Sequence, residues 1–221
     1  MRYYCITDIH GCLKPLEKAL ALVLPHLNEP ETRLIFMGDY IHGGADNYQV
    51  LDKIIGLQIK YPGKVIALMG NHEETVAEGW TNIDYYYSDD DHDSGYAKWM
   101  SSLPRFHADG RTIFVHAGID EQAGELWKAG TAEHIFTEKY PAQTGLFFED
   151  YKIIAGHIGT CDISGDPDFH GIYYDGQSHY YLDSTVVKSG FLNVLLADTA
   201  GGKYYEVTES GTSEIKPYGE K

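Results

Sequence analysis

Three times in the first half of the chain a short apolar run ends in a polar, glycine-bearing loop and then gives way to a helical pattern. Residues 2–7 stop at Asp8-Ile9-His10-Gly11, after which Leu13, Leu16, Leu20 and Leu24 recur at helical spacing until Pro25. Residues 33–37 lead into Gly38-Asp39-Tyr40-Ile41-His42-Gly43-Gly44, and residues 47–60 follow with Val50, Leu51, Ile54, Ile55 and Leu57, closed by Pro62-Gly63. Residues 65–69 end at Gly70-Asn71-His72-Glu73, with a helix expected over 74–78. Strand, polar loop and helix in repetition predict an α/β fold with a largely parallel sheet, whose ligands gather at the C-terminal strand ends.

The remaining chain extends this scheme and then changes it. Residues 96–103 read as helical. Residues 111–115 form a strand ending at His116-Ala117-Gly118, residues 121–139 form a helix in two pieces broken near Gly130, and residues 152–155 form a strand ending at Gly156-His157. Beyond His157 the alternation at 171–174, 179–183, 191–197 and 203–207, with turns at Asp175-Gly176 and Gly201-Gly202, predicts antiparallel strands. A two-layer sheet flanked by helices accommodates both halves in a single domain over residues 1–221. One insertion, at about 81–95, carries Tyr85-Tyr86-Tyr87 and Ser88-Asp89-Asp90-Asp91-His92-Asp93, and reads either as a solvated surface segment or as a lid over a substrate. The last dozen residues are expected to fray.

Charge narrows the function. A net charge of −16 over 221 residues opposes stable nucleic-acid binding and attachment to an anionic membrane, both of which need a basic surface. It leaves room for a small phosphorylated substrate, because a bound cation reverses the local field. No window reaches the roughly 20 apolar residues of a membrane span, and Met1-Arg2 leads into Tyr3 without the pattern of a signal peptide. Cys5, Cys12 and Cys161 form no CxxC pair and read as reduced thiols, so a cytoplasmic location is expected.

Five predicted strand ends carry metal-ligand chemistry: Asp8 with His10, Asp39, Asn71 with His72, His116, and His157. Parallel strands bring such ends together. The resulting mixture of carboxylate, amide oxygen and imidazole suits Mn²⁺, Fe or Zn²⁺ rather than Ca²⁺, and it exceeds the needs of one ion. Two divalent transition-metal ions about 3.5–4 Å apart, sharing a carboxylate, would use it fully.

The series Asp8-Ile9-His10-Gly11, Gly38-Asp39, Gly70-Asn71-His72-Glu73, Val115-His116-Ala117-Gly118 and Gly156-His157 resembles the motifs of calcineurin-like metallophosphoesterases, most closely the small bacterial and phage members of the phosphoprotein phosphatase branch. The resemblance covers residues 8–157 and implies the four-layer αββα arrangement with mixed sheets. It implies that Asp8 and His10 hold a first metal, that Asp39 bridges, and that Asn71, His116 and His157 hold a second, with manganese the expected ion. By the same resemblance His72 is the general acid, and a metal-bound hydroxide hydrolyses a phosphate ester or anhydride by direct attack. Substrate would lie against Asn71 and His42. The alternatives are a dinucleoside polyphosphate (tetraphosphate) hydrolase, and a degenerate member that binds metal and a phosphorylated partner with weak turnover.

The chain departs from that pattern after Asp39. Where the family carries an acid paired with the general acid, and then a phosphate-gripping arginine, this chain has His42 and Gly43. His42 is open to three roles here: a spacer, a substitute phosphate donor, or a hydrogen-bond partner of His72. A second family arginine, after the tryptophan of Leu126-Trp127, is replaced by Ala129, with Lys128 a partial substitute.

Overall fold

Each apolar run ahead of a polar loop becomes a buried strand. In the computed structural model, which describes residues 1–84, 94–139 and 145–220, β1 (Arg2–Ile6), β2 (Thr32–Phe36) and β3 (Val65–Ala67) lie side by side and parallel. Their crossovers are α1 (Leu13–Val23) and α2 (Asn47–Lys60). The apolar stripes of these helices, Leu16, Ala19, Leu20 and Val23 on one and Val50, Leu51, Ile54 and Leu57 on the other, pack on one face of the sheet with Ile6, Leu34 and Phe36. The next helix, α3 (Asn71–Ala77), begins one turn before the predicted 74–78. It starts there because Glu73 folds back to accept the Gly70 N–H at 3.1 Å, which caps the helix at the loop itself. A fourth helix, α4 (Ser94–Met100), packs against α3.

A second sheet is built from β4 (Phe106–Asp109), β5 (Thr112–Val115), β6 (Lys152–Ala155), β7 (Tyr173–Tyr174) and β8 (His179–Tyr181), in the order β4-β5-β6-β8-β7. The chain then returns to the first sheet as β9 (Leu195–Asp198), β10 (Lys203–Thr208) and β11 (Gly211–Glu214), giving the order β11-β10-β9-β1-β2-β3. Tyr3, Cys5, Ile35 and Met37 from the first sheet meet Phe114, Ile154 and Tyr180 from the second to fill the space between them. Trp127 and Phe136 pack on the outer face of the second sheet with Ile113 and Ile153. The three cores separate four layers, helix, sheet, sheet and helical turns, as expected for the αββα arrangement.

Several boundaries differ from expectation. β8 pairs with β6 in parallel rather than antiparallel, with Ile154 opposite Tyr180. Residues 121–139 form no long helix in two pieces: a 3₁₀ segment at Glu121–Leu126 contains Gly124 at φ 55°, and single helical turns follow at Trp127–Gly130 and Glu133–Thr137. The tail expected to fray supplies β11, which pairs with β10 from Glu214 opposite Tyr205 to Gly211 opposite Thr208. The triple tyrosine and aspartate run of the predicted insertion lies outside the described residues. Cys5, Cys12 and Cys161 are free thiols, and among the described residues no helix is long and apolar enough to cross a membrane.

Candidate metal centre

The loops after β1, β2 and β3 on one sheet and after β5 and β6 on the other meet at one edge of the sandwich. Backbone strain is concentrated there. Asp8 (φ 52°), His10 (46°), Asp39 (55°), His42 (68°) and His157 (68°) all occupy the left-handed region, which L-residues seldom adopt. Close approach compels two glycines: a Cβ on Gly70 would collide with the Asp39 carboxylate and amide, and one on Gly156 with the Asp8 carboxylate.

Glu73 holds the strained Asp39 turn. Fully buried, it accepts the backbone N–H groups of Asp39 at 2.7 Å and Tyr40 at 2.8 Å, besides that of Gly70. The Asp39 carbonyl in turn accepts the N–H groups of Ile9 and His10, at 2.8 and 2.9 Å, tying the first loop to the second.

Backbone carbonyls select which imidazole nitrogen faces inward. His116 donates its Nδ1 hydrogen to the Met37 carbonyl at 2.9 Å, so Nε2 is the nitrogen turned to the site, 3.1 Å from Asn71 Oδ1 and 3.4 Å from Asp39 Oδ1. His10 points Nδ1 at the carbonyls of His42 (2.9 Å) and Ile41 (3.2 Å), leaving Nε2 3.8 Å from Asp39 Oδ2 and 3.9 Å from Asp8 Oδ1. His157 brings Nδ1 to 3.1 Å from the same Asn71 oxygen. With Oδ1 inward, Asn71 therefore lies against two imidazole nitrogens and a carboxylate, an arrangement that needs a proton or a cation between the partners. With the amide turned over, its NH₂ would instead donate to both histidines and to Asp39.

Two sets of potential ligand atoms, each within 4.8 Å of one another, share Asp39: His10, Asp39 and His72, and Asp39, His116 and His157. The donor set fits divalent transition metals by ligand type and by its orienting carbonyls. Asp8 belongs to neither set, and both its oxygens accept the His157 N–H at 3.1 Å. His72, which the resemblance places outside the ligands, falls within the first set.

Burial opposes ionisation of Asp39, but the imidazoles of His116, His72 and His10 outweigh it and hold the carboxyl below its usual range. Burial likewise disfavours charge on His116, yet the Asp39 carboxylate raises it to about 10. Asp8 is pushed up to about 8 by burial and by the carboxylate of Asp183. Burial and the neighbouring imidazoles lower His157 and His72, each to about 4. Asp39 and His116 thus share a proton without metal, and a divalent ion competes for that same place.

His42 is buried, 3% exposed, and its ring contacts His72 and the carbonyl of Asn82. Among the described residues no arginine replaces the absent clamp. Arg2 pairs with Glu29, Arg105 with Glu74 and Glu133, Arg111 with Glu125, and Arg33 lies beside Tyr3 and His107. Lys128 sits over the Trp127 ring, 5.5 Å from its centre.

Two acids of the site were not assigned from sequence. Glu73 stood in view within Gly70-Asn71-His72-Glu73, three residues past a helix start, which is a capping signal. Asp183 follows the apolar end of β8 much as Asp39 follows β2, and is 6% exposed. Reading that stretch as antiparallel concealed it, since only a parallel strand brings its end to this edge.

The chain belongs to the calcineurin-like phosphoesterase family, whose sequence model matches residues 1–196. It is 27% identical over 159 residues to a symmetrical bis(5'-nucleosyl)-tetraphosphatase of Legionella pneumophila, a match covering 67% of this chain and 54% of the relative. The chain spans about half the length of the curated relatives it matches. Among solved structures it is similar to a cold-active protein tyrosine phosphatase of a psychrophilic Shewanella, with a TM-score of 0.66 at 16% identity over 97% of this chain and 80% of the other. A putative diadenosine tetraphosphatase gives 0.61 at 16% identity, over 99% and 95% of the two chains. At such identities these structures establish the fold.

Proposed function

We propose that this chain is a metal-dependent phosphohydrolase that cleaves a phosphate ester or anhydride without a covalent enzyme intermediate. The observation that carries this reading is the pair of ligand sets sharing the buried Asp39. Asp39 would bridge two divalent ions, manganese by preference. His10 would serve one ion, His116, His157 and Asn71 would serve the other, and Asp8 would join the first by turning from the His157 amide. Bound ions would supply Lewis-acid charge for the phosphoryl oxygens and make water nucleophilic near neutral pH.

The chain's own groups account for the rest. The carbonyls of Met37, Ile41 and His42 hold His116 and His10 in their liganding tautomers, and Glu73 holds the Asp39 turn against its strained φ. His72 aims Nε2 into the site, 3.7 Å from Asp39 Oδ2, where it can deliver a proton to the departing oxygen. The negative charge of the substrate phosphate would favour the protonated form that burial and the neighbouring imidazoles disfavour on His72 in the free protein. The names of the relatives favour a nucleoside polyphosphate as substrate, with hydrolysis at an anhydride. We further propose a cytoplasmic location and one domain over the whole chain.

A panel of phosphopeptides, nucleotides, dinucleoside polyphosphates and phosphodiesters, run on the Mn²⁺-loaded protein, tests the reading. Turnover of at least one class is expected, and a metal-loaded protein inert to every class would refute it. His72→Ala is expected to lower kcat about 10²–10⁴-fold on a substrate with an alkyl leaving group, and much less on 4-nitrophenyl phosphate, whose leaving group departs without a proton. Equal losses on both would remove His72 from the acid role.

A further inference from the structure

The Nδ1 atoms of His42 and His72 lie 2.8 Å apart. Two imidazole nitrogens at that distance share one hydrogen, and the other contacts of each ring decide where it resides. His42 Nε2 lies 2.9 Å from the carbonyl oxygen of Asn82. A carbonyl only accepts, so His42 carries a hydrogen at Nε2. Neutral His42 then offers a bare Nδ1, and the shared hydrogen belongs to His72 Nδ1. Nε2 of His72 is thereby the nitrogen turned to the site.

We propose that His42 is a positioning residue: an uncharged acceptor, anchored on the Asn82 carbonyl, that fixes the tautomer and ring plane of His72. The proposal rests on the reading of His72 as proton carrier. The anchor is built into the fold. The His42 N–H donates to Asn47 Oδ1 at 3.0 Å, while Asn47 Nδ2 donates to the Ile83 carbonyl at 3.1 Å and to Asp84 Oδ1 at 3.0 Å. One buried asparagine therefore pins both the turn that carries His42 and the segment that carries its acceptor. An imidazole satisfies both ends of this chain of hydrogen bonds. A carboxylate in its place would meet the Asn82 carbonyl acceptor to acceptor.

Imidazole ¹⁵N NMR on the whole protein, metal-free and Zn²⁺-loaded at pH 7.5, reads the tautomers without any activity assay. The expected spectrum shows a hydrogen on Nδ1 of His72 and on Nε2 of His42, and a bare Nδ1 on His72 would overturn the proposal. In kinetics, His42→Phe keeps the ring volume and removes the acceptor, so kcat should fall about tenfold or more with KM within about twofold, since misorienting a catalytic group acts on the chemical step. His42→Gln offers an oxygen to His72 and an NH₂ to Asn82, and should restore most of kcat and the His72 Nδ1 hydrogen. In His72→Ala, adding His42→Phe should cost nothing further. A rise in KM with kcat unchanged would instead make His42 a substrate contact and overturn the positioning role. Loss of all turnover in the wild type, with the NMR pattern intact, would count against His72 as acid and leave the hydrogen-bond chain standing.

Discussion

Asp39→Asn is expected to reduce phosphohydrolase activity by at least about a hundredfold and to abolish metal binding at both sets of ligands, although it changes one atom. The amide keeps the shape and can still accept the His72 N–H that now lies 3.2 Å from Oδ1. What it loses is the charge common to both sets. Without that charge, two groups of imidazoles and amides are left to compete for cations unaided, and Irving–Williams affinity alone is a weak substitute. The folded protein should survive, because His116 is held protonated by the Asp39 carboxylate and without it can stay neutral, leaving no unpaired buried charge. Thermal scans should separate these effects. Metal at about 100 times its Kd stabilises a binding protein by about 2.7 kcal/mol, and for a chain of this size each kcal/mol moves Tm by about 2–4 °C. The wild type should show that rise with added Mn²⁺, and Asp39→Asn should not. A retained rise in the variant would place the metal elsewhere.

Glu73→Ala acts through the fold. It strips one fully buried carboxylate from three backbone N–H groups, at 2.7, 2.8 and 3.1 Å. Each orphaned donor costs about 1–3 kcal/mol, so a loss of at least about 3 kcal/mol is expected, or about 6–12 °C in Tm. Burial and the Asp39 carboxylate push Glu73 up to about 7, against the N–H groups of Tyr40 and Asp39 that favour its ionised form. Glu73→Gln should therefore be milder: one oxygen still accepts, but its NH₂ must face an N–H. Because the same carboxylate holds the Asp39 turn, metal affinity should fall with stability in both variants. Denaturant unfolding of the metal-free proteins checks the first effect, and Mn²⁺ titration checks the second. A Glu73→Ala protein as stable as the wild type would mean that water takes over the three donors.

The three strand–loop–helix units could be read directly because each strand is a continuous apolar run and each helix has a clean stripe. β4 escaped because its alternation, Phe106-His107-Ala108-Asp109, is only four residues long, and β11 because its four residues are all exposed. Backbone pairing makes β11 a strand, whereas β4 also packs Phe106 on Trp127 and His107 on Tyr3. Residues 121–139 carry enough apolar residues for a helix, but Gly124 at φ 55° and an extended Thr131 divide them into turns. The ligand residues were visible as polar ends to apolar runs. The expectation of one sheet edge was too simple, since three of the loops belong to one sheet and two to the other, and the site forms where those edges face each other. Ligand orientation was invisible for a plainer reason. The carbonyls of Met37, Ile41 and Asn82 do that work, and every residue type carries a carbonyl. His42 shows the limit best: its identity marked a departure from the family, but only its contacts show it joined to both His72 and Asn82.

The claim on which the rest depends is that both sheet edges build one two-ion site around Asp39. Elemental analysis of the wild-type chain, stripped of metal, reloaded with Mn²⁺ and freed of excess, tests it most directly. About two ions per chain are expected, falling to none in Asp39→Asn. One ion or none in the wild type, or the same content in both proteins, would contradict it.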